Sequence, residues 1–304
     1  MQKVISVKKL IKKYRDLTAV DGISFDVNRG EIFGLLGENG AGKTTTLEMI
    51  EGLRRPTSGK IEVLGCDIIE HRDAVKEKIG VQLQSSAYYG FLTLKEILEL
   101  FASFYAKNIP AAELLKMVDL EKKANSYIGS LSGGQRQRFS IVASLVNDPE
   151  VVFLDEPTTG LDPIARRNLW DLISKIKNQG KTVILTTHYM EEAEILCDRV
   201  AIMESGKILV MDETHKLIEA AKFPFTISFI RKNINQKTLA DLGKLAVVEN
   251  IFGKENKYVL KIKNQKNMNL ALKLVQSLKP ESLTVGRATL EDLFIELTGK
   301  RVEE

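Results

Sequence analysis

Cysteine, histidine and tryptophan are scarce in this sequence. Its 304 residues include two cysteines, three histidines and one tryptophan. The sequence has only two cysteines, Cys66 and Cys197, which fits a reducing compartment and argues against metal sites or a disulfide framework. We therefore expect both cysteines to be packing residues rather than reactive thiols.

Long apolar runs are absent as well. A helix that spans a membrane needs about 18 consecutive apolar residues, and no stretch of the sequence provides them. The nearest candidate, residues 91–106, contains Lys95, Glu96 and Glu99, and its apolar residues recur at helical spacing. We predict an amphipathic helix there and expect that the chain cannot form a transmembrane pathway alone. Residues 1–15 lack the uninterrupted apolar core of a secretory signal peptide.

Neither sign of charge is in large excess. The 44 basic and 40 acidic residues leave a formal net charge of +4, which does not indicate a nucleic-acid-binding protein. Basic residues between positions 3 and 15 alternate with apolar ones, which is typical of the solvated face of a strand; a membrane-surface or nucleic-acid patch is the alternative. The length favours two domains.

What the sequence does contain is a glycine-rich turn between a predicted strand and a predicted helix. The stretch GENGAGKT, residues 37–44, follows the apolar run at 32–36 and precedes a helical pattern at 45–53. This is the phosphate-loop pattern GxxxxGK(S/T) in its confirming context. The alternative is a glycine-rich turn that binds nothing.

The residue types in this loop suit a bound phosphate. Gly37, Gly40 and Gly42 tolerate positive φ and carry no Cβ, so that consecutive backbone N–H groups can surround an anion. The helix N-terminus and the side chain of Lys43 add positive charge. Thr44 offers a hydroxyl to Mg²⁺.

A second nucleotide-binding pattern is VVFLDEP, residues 151–157. Its apolar strand ends in Asp155, which places a carboxylate at the carboxyl end of the sheet, where Mg²⁺ or its water can be held. Glu156 is then a candidate general base, a role worth about 10²–10⁴-fold in rate. The alternative is an acidic strand end followed by a proline turn.

A third pattern is LSGGQ, residues 131–135. Ser132 followed by Gly133 and Gly134 opens a predicted helix and forms a second anion-binding helix N-terminus. A chain with two phosphate-binding turns invites pairing with a second copy.

These three motifs, in this order and spacing, make roughly the first 220 residues resemble the ATP-binding-cassette (ABC) ATPases. In that family the LSGGQ signature of one cassette closes over the nucleotide in the phosphate loop of the other, which implies a homodimer upon ATP binding. The cofactors implied are ATP and Mg²⁺. The implied ATP-binding residues are Tyr14, Gly37, Asn39, Gly40, Gly42, Lys43, Thr44, Thr45, Ser132, Gly134 and Gln135. The implied Mg²⁺ ligands are Thr44, Gln84 (with Gln82 as the nearby alternative) and Asp155, and the implied catalytic residues are Glu156, His188 and Lys43.

The fold class expected from this resemblance is α/β, a P-loop NTPase core with an N-terminal antiparallel β subdomain and a helical subdomain. The ATP-binding domain is predicted at 1–220, with the helical subdomain at about 88–146. The composition shifts around Pro224, and residues 225–304 are predicted to form a small accessory α+β domain. That segment contains no His and no Cys, so we expect a packing, dimerisation or regulatory role for it. Its ending, residues 288–300, resembles the daunorubicin-resistance-type ATPase subunits of bacterial exporters.

The resemblance implies an ATP-hydrolysing subunit of an ABC transporter, an exporter, that drives a separate transmembrane permease. It would lie peripherally at the cytoplasmic face of the membrane and meet the permease through Gln84 and residues 91–105; no nucleic-acid partner is expected. The alternative is an ABC ATPase that acts on the ribosome or nucleic acid. Such proteins usually carry two cassettes or a coiled-coil insertion, whereas this sequence has one cassette and no heptads. A regulatory module that barely turns nucleotide over is disfavoured by the intact motif residues.

Overall fold

The computed structural model describes residues 2–83, 88–251 and 256–299. The chain forms two compact units, Met1–Asp212 and Glu213–Glu304. Within the described ranges, no helix combines the length and apolar character needed to cross a membrane.

The described residues form fourteen strands and eleven α-helices. The strands are β1 (Lys3–Tyr14), β2 (Leu17–Asn28), β3 (Ile32–Leu36), β4 (Ser58–Val63), β5 (Cys66–Asp67), β6 (Ile79–Gln82), β7 (Val151–Asp155), β8 (Thr182–Thr187), β9 (Arg199–Glu204), β10 (Lys207–Glu213), β11 (Phe225–Ile230), β12 (Val247–Ile251), β13 (Lys257–Ile262) and β14 (Ser282–Arg287). The helices are α1 (Lys43–Ile50), α2 (Arg72–Lys76), α3 (Leu94–Ala102), α4 (Ala111–Met117), α5 (Gly133–Ala143), α6 (Pro163–Asn178), α7 (Met190–Leu196), α8 (Thr214–Glu219), α9 (Gln236–Leu245), α10 (Gln265–Ser277) and α11 (Leu290–Thr298).

The N-terminal segment forms an antiparallel sheet, as predicted. Its described strands are ordered β2-β1-β4-β5, and β1 pairs with β2 from Lys3 opposite Asn28 to Tyr14 opposite Leu17. Apolar residues of β1 are buried while Lys8 is exposed, which is the alternation that the sequence indicated.

The central sheet places the ends of three strands side by side. Among the described residues its order is β10-β9-β3-β8-β7-β6, and the pairs from β9 through β6 are parallel. Every residue of β3, β7 and β8 is buried, which explains their continuous apolar composition. Because parallel strands end at the same edge, the segments that follow β3, β7 and β8 are brought together.

The helical subdomain differs from the prediction in the length of one helix. The amphipathic helix expected over 91–106 is α3 alone, because Thr93 and Glu96 form a capping box that starts it after Phe91. Phe91 and Phe104 consequently lie outside the helix and are 74% and 68% exposed. The apolar face that remains, including Leu98, is buried.

The second unit contains a βαββαβ arrangement. Strands β11 to β14 form an antiparallel sheet of order β12-β13-β11-β14 in the described part of the chain, and α9 and α10 connect them. Its core includes Ile227, Phe229, Leu260 and Val275. This is the ferredoxin-like topology, a specific case of the predicted α+β class.

One buried carboxyl group in the first unit has no partner. Glu51 follows the last residue of α1 and is 2% exposed, and neither of its carboxyl oxygens has a hydrogen-bond partner among the described residues. Burial, followed by the negative charges of Asp155 and Glu48, raises the pKa of this carboxyl from 4.5 to about 8. The fold therefore holds this group in its protonated form at neutral pH.

Replacing Glu51 with glutamine should make the protein more stable, and increasingly so at higher pH. Between pH 4.5 and about 8 the folded protein retains a proton that the unfolded chain has released, so the free energy of unfolding falls as the pH rises. Glutamine removes this dependence, so that within this window the difference in the free energy of unfolding should grow by roughly 1.4 kcal/mol per pH unit. Urea unfolding of the unsubstituted chain and of Glu51→Gln at several pH values measures this difference in the free energy of unfolding. A difference that does not change with pH would contradict the assignment.

Candidate functional site

The glycine-rich loop between β3 and α1 needs glycine at two positions because other backbone lies against it. A Cβ on Gly37 would lie 2.3 Å from the carbonyl oxygen of Met203, and one on Gly42 would lie 2.4 Å from that of Ala19. Gly42 also has φ of 99°, in the left-handed region. At Gly40 a Cβ would meet nothing within 4 Å, so that side of the loop is open.

The ammonium group of Lys43 lies inside this loop. The residue is 4% exposed, and its Nζ donates hydrogen bonds to the carbonyl oxygens of Gly37 (2.8 Å) and Glu38 (3.1 Å). It also lies 3.4 Å from Oε1 of Glu156. Burial lowers the pKa of Lys43, and the Glu156 carboxylate opposes that shift. The buried ammonium group of Lys43 is thus bound by two carbonyl oxygens and a carboxylate, and a phosphate could take the place of these partners.

Asp155 is the last residue of β7, and its side chain contacts both the start of α1 and β8. Its Oδ1 accepts hydrogen bonds from the hydroxyl of Thr44, at 3.2 Å, and from the hydroxyl of Thr186. Burial raises the pKa of the Asp155 carboxyl, whereas these two hydrogen bonds lower it. The structure therefore places the carboxyl of Asp155 and the hydroxyl of Thr44 side by side, and their role as Mg²⁺ ligands stays a prediction.

The oxygens of Thr44 and Asp155 suit an Mg²⁺ ion that is also bound by phosphates and water. They do not suit a metal ion that has protein ligands only. The described residues contain no cluster of three or more His, Cys, Asp or Glu side chains that could hold a metal. Mg²⁺ usually binds through one or two carboxylates together with substrate phosphates and water. The donor set of Thr44 and Asp155 beside an anion-binding loop suits that mode.

Glu156 lies between two basic side chains. Its Oε1 faces Lys43, and its Oε2 lies 3.2 Å from Nδ1 of His188, although that nitrogen has no aligned hydrogen bond. Thr159 donates a hydrogen bond to Oε2 at 3.2 Å. Contact with His188 lowers the pKa of the Glu156 carboxyl, burial raises it and the charge of Lys43 lowers it, and the result is about 2. The carboxylate is therefore ionised.

The backbone of Glu156 is in a strained conformation. Its φ is 46°, which is uncommon for a residue other than glycine, and its N–H donates to the hydroxyl of Thr186 at 2.9 Å. Backbone of this kind persists where the surrounding structure imposes it, most often at functional sites.

The LSGGQ segment forms a capped helix start. Ser132 is the N-cap of α5: its Oγ accepts from the backbone N–H of Gln135 at 3.3 Å, and its own N–H donates to the Gln135 side chain. Nζ of Lys123 also donates to Oε1 of Gln135, at 3.0 Å. Gly134 lets α5 approach α6, since a Cβ there would lie 3.1 Å from that of Ala165. Ser132 itself is exposed to solvent.

Three other predicted ATP-binding residues, Tyr14, Asn39 and Thr45, differ in their exposure to solvent. Tyr14 is 36% exposed at the end of β1, and the cations of Lys12 and Arg54 lie 5.0 Å and 5.5 Å from its ring centre. Asn39 is exposed and Thr45 is half-buried.

Of the two glutamines proposed as a metal ligand, Gln82 alone lies within the described residues. Gln84 lies outside the described residues, so its predicted role as a metal ligand stays a prediction. Gln82 is 2% exposed and its side-chain amide donates to the carbonyl of Leu83 at 2.6 Å, while its side-chain oxygen has no hydrogen-bond partner among the described residues.

The structure thus brings Lys43, Thr44, Asp155, Glu156 and His188 into one cluster of ion pairs and hydrogen bonds. The sequence-based prediction did not include one contributor. Thr186 donates to Asp155 and accepts from the backbone of Glu156. Its signal was its position near the end of a buried strand, two residues before His188.

Comparison with known proteins gives consistent results. Residues 20–159 match the family model described as ABC transporter. The chain is 42% identical over 222 residues to the Nod factor export ATP-binding protein I of Ralstonia nicotianae, which covers 71% of this chain and 68% of that protein. It is 36% identical over 305 residues to the protein of the same name from Neorhizobium galegae, covering 99% of this chain and 86% of the relative.

Solved structures share the fold of a large part of this chain. An ATP-binding subunit of an ABC transporter aligns with a TM-score of 0.64 at 30% identity, covering 71% of this chain and 92% of that one. A dimeric post-hydrolysis state of an ATP-binding cassette bound to ADP and Pi aligns with a TM-score of 0.62 at 27% identity, covering 69% and 98%. The similarity confirms the predicted cassette fold.

Proposed function

The chain belongs to the ABC transporter family as an ATP-binding and ATP-hydrolysing subunit, and we propose that it powers export through a separate transmembrane permease. The observation that carries the mechanism is the contact of the Glu156 carboxylate with Lys43 on one side and with His188 on the other, next to the phosphate loop. Nucleotide phosphates would compete with the Glu156 carboxylate for the ammonium group of Lys43.

We assign the nucleotide to the glycine-rich loop. The backbone N–H groups from Gly37 to Gly42 and the ammonium of Lys43 would bind its phosphates. Tyr14 would stack on the base, an interaction worth about 1–3 kcal/mol that tolerates any base. We also propose Asn39 and Thr45 as ATP-binding residues.

The Mg²⁺ that accompanies ATP would be held by Thr44 and Asp155, with Gln84 as a further proposed ligand. The ion would neutralise phosphate charge when bound. The hydrogen bond from Thr186 keeps the Asp155 carboxylate oriented toward Thr44.

In the proposed reaction Glu156 is the general base. As phosphate becomes the partner of Lys43, the carboxylate of Glu156 loses its nearest ammonium, and its affinity for a proton rises. It can then accept a proton from an attacking water, while Lys43 and His188 stabilise negative charge on the phosphate. Burial of this group excludes bulk water, which strengthens these interactions.

We propose that hydrolysis requires two copies of the chain, arranged head to tail. Ser132, Gly134 and Gln135 are presented at a capped helix N-terminus, and the solvent exposure of Ser132 makes it accessible to the nucleotide of a second copy. A related cassette has been solved as a dimer. Closure upon ATP binding and reopening after hydrolysis would supply the movement.

The permease would dock on the helical subdomain, near Gln84 and residues 91–105, and hold the chain at the cytoplasmic face of the membrane. The support for export is that the relatives reported above are named for Nod factor export. Those names give the alternative of action on ribosomes or nucleic acid no support. We propose no cargo, because in this scheme the permease selects it.

The function is tested by measuring ATP turnover by the purified chain against protein concentration. Turnover that rises faster than linearly, together with ATP-dependent dimers in sedimentation, is the expected result, because each active site needs two copies. Strictly proportional turnover by a chain that stays monomeric would contradict the paired-site mechanism.

A further inference from the structure

Two side chains of α6 contact the start of α7, the helix that follows His188. Arg166 and Trp170 lie four residues apart on α6, so they share one face of that helix. The guanidinium carbon of Arg166 lies 4.1 Å from the ring centre of Tyr189, the residue that precedes α7. The indole nitrogen of Trp170 donates a hydrogen bond to Oε1 of Glu192 at 3.1 Å. The backbone that carries His188 is therefore held against α6 by both contacts.

The contact between Trp170 and Glu192 fixes the position of α7. Trp170 is 7% exposed and Glu192 is 0% exposed, so their hydrogen bond is shielded from water. Burial raises the pKa of the Glu192 carboxyl, whereas hydrogen bonds, that of Trp170 among them, and the charge of Arg166 lower it. Removing either partner would leave a buried polar group without its hydrogen bond and would disturb the packing of the two helices. This pair is therefore part of the framework.

The contact between Arg166 and Tyr189 continues to His188. The ring centres of Tyr189 and His188 are 4.2 Å apart, and the two ring planes are tilted by 41°. The face of an aromatic ring attracts a cation, and the planar guanidinium of arginine also stacks on it. Nε of Arg166 is buried and has no hydrogen-bond partner among the described residues. The ring of Tyr189 thus lies in contact both with the Arg166 cation and with the imidazole of His188.

The contact with Glu156 does not fix the orientation of the His188 ring. Nδ1 of His188 lies 3.2 Å from Oε2 of Glu156, but it makes no aligned hydrogen bond there, and the side chain is 14% exposed. Hydrogen bonds weaken steeply as their alignment is lost. A ring that is to turn from this carboxylate to a phosphate needs a support that is independent of both partners. The ring of Tyr189 provides that support.

We propose that Arg166 is a positioning residue for His188 and acts through the ring of Tyr189. The inference rests on the proposed function, in which His188 stabilises negative charge on the phosphate. Arg166 holds the Tyr189 ring in one orientation, and the imidazole packed against that ring is held with it. His188 then reaches the phosphate correctly aligned. We assign Arg166 itself no contact with nucleotide.

The kinetic test is Arg166→Ala in the full chain, with Arg167→Ala as the matched control, because Arg167 is the next residue of α6 and is exposed. We expect Arg166→Ala to lower kcat at least tenfold and to leave the affinity for ATP within twofold, since misplacing a reacting group by about 1 Å can cost on the order of 10²-fold in rate. Arg166→Lys should recover part of the rate, because an ammonium group also binds the ring face but lacks the planar stack. Arg167→Ala should change neither quantity. Normal kcat in Arg166→Ala would overturn the inference.

Dependence on His188 separates positioning from a general loss of structure. In chains that also carry His188→Gln, Arg166→Ala should lower turnover no further, because the group that it positions has been removed. A further tenfold loss in that background would overturn the inference. Normal turnover in His188→Gln would contradict the proposed role of His188 and this inference together. Slow turnover in His188→Gln with normal turnover in Arg166→Ala would overturn this inference and leave that role intact.

NMR of the imidazole groups reports the orientation of His188 without turnover. The sequence has three histidines, His71, His188 and His215, so His188→Gln identifies the resonances of His188. Arg166→Ala should shift these resonances, because the imidazole lies against the Tyr189 ring, and should leave those of His71 and His215 in place. Resonances of His188 that stay unchanged in Arg166→Ala would overturn the inference.

Two substitutions of Tyr189 keep the inference testable if Arg166→Ala does not fold. Tyr189→Phe keeps the aromatic ring, whereas Tyr189→Leu replaces it with an apolar side chain that offers no π face to the guanidinium. We expect Tyr189→Phe to retain at least ten times the turnover of Tyr189→Leu, with the His188 resonances shifted only in Tyr189→Leu. Equal turnover in these two variants would overturn the inference.

Discussion

Replacing Glu156 with glutamine should lower ATP turnover by about 10²–10⁴-fold, the usual contribution of a general base. Glutamine keeps the size of the side chain and can still accept the hydrogen bond from Thr159, but it carries no charge to accept a proton. ATP binding should persist and tighten, because phosphate would no longer compete with Glu156 for Lys43. The expected species is a long-lived ATP-bound dimer, which single-turnover kinetics and sedimentation in ATP can detect.

The matched control is Glu150→Gln. Glu150 pairs with Arg29 at the surface, and its side chain is 38% exposed, so loss of its charge should leave turnover within twofold. Normal turnover in Glu156→Gln would rule out Glu156 as the base. Loss of ATP binding in that variant would instead indicate that its charge holds the loop together.

Replacing Ser132 with arginine should abolish turnover while the isolated chain still binds ATP. In the proposed mechanism Ser132 contacts nucleotide in the second copy, so a bulky cation at the N-terminus of α5 would prevent closure without touching the chain's own phosphate loop. The loss of the capping hydroxyl costs about 1 kcal/mol, which the fold should tolerate. Equilibrium binding of a fluorescent ATP analogue and steady-state hydrolysis, measured on the same preparation, separate the two effects.

Ser277→Arg provides the control for this substitution. Ser277 is exposed at the end of α10, where its hydroxyl donates to the carbonyl of Leu274, and it lies in the second unit. Arginine there should change neither binding nor turnover. If monomeric Ser132→Arg failed to bind ATP, the serine would act within its own chain and the head-to-tail arrangement would be wrong.

The sequence by itself determined the chemical motifs and the elements that carry them. The strand, glycine-rich turn and helix around Lys43 could be predicted because each has a local signal: an apolar run, glycines at fixed spacing and a helical pattern. Asp155 could be placed at a strand end for the same reason. The family followed from the order of these motifs along the chain.

Only the tertiary structure decided which of these residues meet. Lys43, Glu156 and His188 are far apart in sequence, and they converge because β3 and β7 both flank β8 in the sheet. Strand order depends on packing between distant segments, which periodicity does not encode. The contribution of Thr186 and the left-handed backbone of Glu156 depend on that same arrangement.

Two further features were decided by the tertiary structure rather than by local sequence. They are the limits of α3 and the buried carboxyl of Glu51, which has no hydrogen-bond partner among the described residues. Apolar spacing extended the predicted helix to 91–106, but a capping box at Thr93 and the course of the chain after Ala102 shortened it and left Phe104 exposed. Glu51 has an ordinary sequence context, and its burial arises because α1 packs into the core beside a cavity. Local sequence specifies what a segment can form, whereas solvent exposure and the partners of a charge are properties of the assembled fold.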